Sequence, residues 1–132
     1  MALLIDTSVL VGLERAHTTA PPLEIEGEGV FISAISASEL LHGVERATDE
    51  GRRARRHAFV ERVLDTVPVL PFDLDAARVH ARVWASLLRR GEVIGAHDLI
   101  IAATALSRDL AVLTHNTREF SRVDGLALRS LG

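Results

Sequence analysis

The stretch Ala2-Leu3-Leu4-Ile5-Asp6-Thr7-Ser8 carries a run of four apolar residues that stops at a carboxylate followed by two hydroxyls. The run is too short for a helix and suits a buried strand, Ala2–Ile5, feeding a helix over Ser8–Arg15 with Asp6 and Thr7 at the junction. Working outward, Thr18–Gly29 holds two prolines, two glycines and three glutamates and reads as a loop or a ragged short helix. Val30–Ser33 predicts a second strand. Ser36-Ala37-Ser38-Glu39 has the pattern of a capping box that opens a helix with Leu40, Leu41 and Val44 on its apolar face. Asp49–Val67 predicts a helix in which Ala54, Ala58 and Val63 oppose an arginine-rich face, and Val67–Phe72, with two prolines, an edge strand. Asp73–Arg90 is helical, with Leu74, Ala77, Ala81, Trp84 and Leu88 at three- and four-residue steps. Gly91 and Gly95 interrupt the chain before a strongly apolar helix, Ala96–Arg108; Ala111–Thr114 and Ala127–Leu131 complete the strands.

Short apolar strands alternating with helices imply βαβ units with right-handed crossovers. One α/β domain over residues 1–132 is expected, its mostly parallel sheet covered on both faces. The chain has no internal repeat, low-complexity tract or linker that suggests a second domain.

Composition narrows the chemistry. Cys and Tyr are absent, and all 15 basic residues are Arg. Without Cys there is no disulfide framework, thiolate zinc site or cysteine nucleophile; without Lys there is no Walker-type phosphate loop and no Schiff base. Carboxylate, hydroxyl, His or Arg must therefore do the work. The net charge of −3 excludes a uniformly basic nucleic-acid binder, although charge can be segregated along the chain. The N-terminus has no basic, cleavable leader pattern, and Leu99–Leu106 falls far short of the roughly 20 residues of a membrane span. A cytoplasmic protein that does not contact membrane is expected.

Ligands of open parallel sheets bind at the carboxyl ends of the strands, where strand order reverses. Asp6 ends the first strand, Glu39 follows the second, Asp98 opens the helix 96–108, and Asn116 follows Thr114. Each acid also has a plainer reading. Asp6 can cap the helix after it, and Glu39 can be the capping-box partner of Ser36. Asp98 is harder to explain away, because it heads a helix apolar nearly all round and a buried carboxylate needs a partner. Converging carboxylates require a counter-charge. An all-oxygen donor set points to a hard cation, Mg²⁺ or Mn²⁺, and such an ion suits phosphodiester hydrolysis. Arg52, Arg53, Arg55, Arg56 and Arg62 form the densest positive run, which reads as a solvated helix face or as a phosphate-contacting stripe, with Arg52, Arg53 and Arg56 its candidate contacts. The six histidines show no metal-binding spacing; His115 lies beside the candidate site.

Four motifs in order, LLIDTSVL at 3–10, SASEL at 36–40, IGAHDLIIAATA at 94–105 and VLTHNTREF at 112–120, resemble the PIN-domain ribonucleases of the VapC toxin type, and the resemblance spans essentially the whole chain. It implies a three-layer α/β/α sandwich. It also implies a Mg²⁺- or Mn²⁺-dependent endoribonuclease acting on tRNA or ribosomal RNA, held inactive by a VapB-type antitoxin, and a homodimer. Carried over by position, Asp6, Glu39 and Asp98 match the acidic core, Asp6 and Asp98 holding the metal and Glu39 acting through water or as the base. Thr7, Ser8 and Thr114 match hydroxyls that touch substrate or support the acids. Asn116 stands where many PIN domains have a fourth Asp; its amide oxygen can ligate a metal but brings no charge. Glu119 can supply that charge, although pairing with Arg118 or Arg122 at the surface is its plainer role. The competing readings are a non-catalytic PIN-type module that binds RNA or protein, and a phosphatase. The DxD motif of haloacid-dehalogenase-type enzymes is missing, since the first strand ends Asp6-Thr7-Ser8.

Overall fold

The structure, a computed structural model, describes residues 1–16 and 24–131. The first strand, β1 (Leu3–Ile5), is fully buried and passes directly into α1 (Thr7–Arg15). After residues 17–23 come β2 (Glu24–Ile25), β3 (Glu28–Ser33), α2 (Ala34–Arg46), α3 (Glu50–Thr66) and β4 (Val69–Leu70). The chain continues through α4 (Leu74–Arg89), α5 (Ala96–Ser107), β5 (Ala111–Leu113), the single turn α6 (Thr117–Phe120) and β6 (Leu128–Arg129). The sheet runs β2-β3-β1-β5-β6, with β4 also paired to β3. All pairings are parallel except β2–β3.

Alternation along β1 divides the core. Leu3 and Ile5 join Val9, Leu40, Phe59, Val60 and Val63 beneath α1, α2 and α3, whereas Leu4 joins Leu87, Leu99, Ile101 and Phe120 beneath α4, α5 and α6. Each face of a strand thus gains its own helical cover, and the three-layer α/β/α sandwich is the result. Among the described residues, no helix is long and apolar enough to cross a membrane.

Several expectations shift. The part of Thr18–Gly29 within the described residues is a hairpin, not a loop or helix: Ile25 pairs with Glu28, and Glu26 and Gly27 both take positive φ (51° and 79°), as a two-residue turn between twisted strands requires. The rest of that segment, with His17, lies outside the described residues. The helix expected to open at Ser36 begins three residues earlier. Ser33 is its N-cap and accepts from the Ser36 N–H at 3.1 Å, so there is no capping box at 36–39 and Glu39 falls in the second turn.

The predicted apolar faces hold only in part: in α2 Leu40 and Val44 are buried as expected, and in α3 so is Val63. Leu41 is 39% exposed. In α3 it is Phe59, Val60 and Val63 that are buried, while Ala54 and Ala58 face solvent. In α4 the buried residues are Ala76 and Leu87, with Val83 packed beside them, and Leu74, Trp84 and Leu88 are 65%, 53% and 66% exposed. These helices carry two apolar stripes, and periodicity does not tell which one meets the sheet.

The α3 assignment is testable by urea denaturation. Phe59→Ala should cost roughly 3–5 kcal/mol, whereas Ala54→Ser should stay within about 0.5 kcal/mol of the parent.

Candidate active site

The chain leaves β1 for β3 on one side and later returns to β5 on the other, so strand order reverses at β1, and the crevice at the carboxyl ends of β1 and β5 is the topological switch point. Asp6 stands there. It is 4% exposed, and its side chain makes no capping bond to α1, so the plain helix-cap reading fails. Its Oδ2 instead accepts from two hydroxyls, Ser8 Oγ and Thr114 Oγ1, each at 2.8 Å. Each hydroxyl is held in turn by a backbone donor of the loop after β5. The Asn116 N–H reaches Thr114 Oγ1 at 2.8 Å and the His115 N–H reaches Ser8 Oγ at 3.3 Å. The burial cost of a carboxylate is thereby offset by charge-assisted hydrogen bonds.

Glu39 is brought to the same edge by α2. With Ser33 as the cap, Glu39 is not needed at the helix terminus, and its Oε1 accepts from Thr7 Oγ1 at 2.8 Å. Thr7 Oγ1 also lies 3.1 Å from Ser36 Oγ, which is 3.1 Å from Ser33 Oγ, so a line of hydroxyls runs from the end of β3 to the acid. Glu39 Oε2 stands 3.4 Å from His97 Nδ1, an ion pair when that histidine is protonated. Thr7, Ser8 and Thr114 therefore hold the acids in position.

Asp98 is half-buried in the first turn of α5. A capping box would have it reach back to the Gly95 N–H, but Glu119 Oε1 takes that donor at 2.5 Å. Burial, together with the charges of Asp6, Glu119 and Glu39, pushes the Asp98 carboxyl up from 3.8 to about 6, against a smaller opposing pull from His97. Glu119 moves the other way: hydrogen bonds from the Asn116 side chain and the Gly95 N–H hold it below the usual carboxylate value. Asn116 Nδ2 donates to Glu119 Oε2 at 2.8 Å. A Cβ at Gly95 would stand 3.5 Å from both Asp98 Oδ2 and Glu119 Oε1, which places the two acids on the same side of that glycine. The surface role expected for Glu119 is therefore corrected. Its carboxylate is turned toward the head of α5 by the Asn116 amide and the Gly95 N–H, and an acid three residues after that Asn was its only sequence signal.

The arginine helix is not part of this cluster. Arg53 pairs with Glu45 at 3.4 Å on an exposed surface, and Arg56 is tied to Glu14 and to the Gly43 carbonyl, each at 3.1 Å. Arg52 is exposed and makes no ion pair among the described residues. Among those residues, no three acids or histidines stand close enough to grip one metal ion as placed. The donor set nonetheless suits a hard divalent cation: it is all oxygen, it concentrates like charge around Asp98, and ions such as Mg²⁺ bind through few carboxylates and retain waters.

The crowding has a thermodynamic signature. Between about pH 4 and 6 the folded chain retains a proton on Asp98 that the unfolded chain has released, so this group makes stability fall as pH rises through that window. In EDTA, Asp98→Asn should melt at a higher temperature than the parent at pH 7.5, and the gain should shrink to nothing towards pH 4.

Comparison with known proteins agrees with this geometry. The PIN domain model matches residues 3–126. The chain is 37% identical to ribonuclease VapC1 of Rickettsia felis over 126 residues, covering 96% of this chain and 93% of the relative. It is 38% identical over 95 residues to the tRNA(fMet)-specific endonuclease VapC of Shigella flexneri, 72% of this chain and 70% of that one. The solved structure of VapBC-5 from Mycobacterium tuberculosis, a member of the VapBC family of toxin-antitoxin systems, superposes with a TM-score of 0.77 at 34% identity, covering 99% of this chain and 98% of that chain. With its carboxylates gathered at the switch point of a PIN-like sheet, the chain belongs to the PIN-domain family.

Proposed function

We propose that this protein is a divalent-cation-dependent endoribonuclease and the toxin of a toxin–antitoxin pair. The observation that carries the reading is the half-buried Asp98 with Asp6, Glu119 and Glu39 near it: burial first, and then these like charges, raise its carboxyl to about 6. A structural role for such a cluster would waste stability, whereas a cation and a phosphodiester give it a use. The ribonuclease names of the relatives support the substrate class, and the Shigella flexneri relative makes tRNA the first RNA to try.

Asp6 and Asp98 would hold Mg²⁺ or Mn²⁺, with Glu39 engaged through water. When bound, the ion supplies charge neutralisation at the scissile phosphate and acidifies its waters. Ser8 and Thr114 fix the Asp6 rotamer, so its carboxylate needs no reorganisation during reaction. Glu39, aligned by Thr7, is placed to orient the attacking water and take its proton. Glu119 adds negative charge beside Asp98, and Asn116 positions Glu119; a direct ligand role for Asn116 is secondary. The sole sequence feature in favour of a non-catalytic module was the Asn at 116, and Glu119 restores the charge it lacks.

A VapB-type antitoxin is the protein partner this reading requires, in line with the toxin-antitoxin relative from Mycobacterium tuberculosis. The homodimer is supported by the exposed apolar surface of Trp84, Leu88 and Val93, which border a cavity reaching Leu99 and Ile100.

Asp6→Asn and Asp98→Asn should each keep the parent's circular dichroism spectrum yet lower tRNA cleavage by at least about 100-fold, the scale of losing a charge-stabilising group, and should abolish the heat of Mn²⁺ binding in calorimetry. Cleavage retained by either folded variant would sink the assignment. If the apolar surface joins two copies, Trp84→Asp should convert a dimer to a monomer in light scattering; an unchanged mass would place the interface elsewhere.

A further inference from the structure

We propose that the groove between α1 and α2 is the exit track for the RNA strand, with Arg15 and Arg46 gripping its phosphates. The inference rests on the nuclease reading and names the part of the molecule that holds the substrate. The groove has a volume of ≈ 390 Å³. Its lining joins Thr7, Glu39 and His97 of the carboxylate site to Arg15, Arg46 and Arg56.

The three arginines differ in what they have left to offer. Arg56 spends its guanidinium on Glu14 and the Gly43 carbonyl, and so ties α3 to both walls of the groove. Arg15 and Arg46 are the last residues of α1 and α2, both are exposed, and neither makes an ion pair among the described residues. At 1.5 Å per residue, Arg15 lies about 12 Å along its helix from Thr7, and Arg46 about 10 Å along its own from Glu39. Helix α1 thus begins beside the carboxylates and α2 carries Glu39 in its second turn, and each ends in an arginine on the same groove that makes no ion pair among the described residues.

A polyanion needs those charges here. The chain is net negative, and Glu39, which lines the groove, is one of the acids whose charge bears on Asp98. A bound cation can neutralise the scissile phosphate, but the phosphates that follow it along the strand would meet no compensating charge without Arg15 and Arg46. Phosphate contacts of this kind set position and register and carry no sequence information. An arginine at a helix C-terminus also complements the helix dipole. That role explains each residue singly, but not their shared groove or its continuity with the site.

The test uses the full chain carrying Arg15→Ala and Arg46→Ala, with Arg78→Ala and Arg82→Ala on the exposed surface of α4 as a charge-matched control. Fluorescein-labelled oligouridylate and tRNA are titrated by anisotropy across a NaCl series, in an Asp98→Asn background that does not cut. The groove variant should bind roughly tenfold more weakly, and its log K against log salt slope should flatten by about 1.4, the loss of two single-strand phosphate contacts. The control should match the parent, and Arg15→Lys with Arg46→Lys should restore most of the slope. In the cutting background, KM should rise while kcat holds. A groove variant with the control's slope overturns the proposal while leaving the nuclease reading intact. The same holds if only inhibition by the antitoxin weakens, since the groove would then serve a protein. A parent that neither binds nor cuts either RNA overturns the nuclease reading and the track together.

Discussion

Asp6 is a carboxylate buried to 4% exposure at the end of a strand whose three residues are all buried, and the site depends on how that burial is tolerated. The answer is a clamp: Oδ2 is shared by Ser8, two residues on, and Thr114, more than a hundred residues away. Because Ile5 and Leu113 are register partners, the residues after each strand emerge side by side, and the clamp closes with little distortion. The backbone donors of His115 and Asn116 then fix the two hydroxyls. Removing the clamp would leave a buried charge with its acceptor capacity unmet, which is far more costly than never having buried it.

From this anchor the neighbouring acids follow. The loop that holds Thr114 also carries Asn116, whose amide draws Glu119 inward, and Glu119 in turn occupies the N–H of Gly95 at the head of α5. Asp98 is left in the first turn of that helix, where burial and then the charges of Asp6, Glu119 and Glu39 push its carboxyl up to about 6. The helix N-terminus offsets part of the repulsion, but the cluster remains a local sacrifice of stability, of the kind proteins make where charge is needed for chemistry.

The mechanism and the proposed track share a division of labour. Hydroxyls and amides do the positioning at the sheet edge, carboxylates concentrate negative charge at one point, and Arg15 and Arg46, with no ion pair among the described residues, stand at the far ends of α1 and α2. Separating the signs in this way keeps Arg15 and Arg46 from neutralising the acids directly, while leaving both within reach of one extended polyanion. The densest arginine run, on α3, is instead occupied in part by structural pairing with Glu45 and Glu14.

The α/β class, the strands ending at Asp6 and near Thr114, and the placement of Asp6, Glu39 and Asp98 at one edge of the sheet were legible in the sequence. Short apolar runs ending in acids, and an apolar helix headed by Asp98, are local patterns with few physical solutions. What the residues alone left open were choices between near-equal local alternatives. Ser33 and Ser36 both suit a helix cap, and continuity with β3 selected Ser33. Helices α3 and α4 each carry two apolar stripes, and only the sheet's position decides which is buried. Glu119 and the pair Arg15 and Arg46 acquire meaning from partners distant in the chain. A local pattern fixes conformation through forces acting within a few residues, whereas burial, clamping and charge crowding arise between segments that only the closed fold brings together.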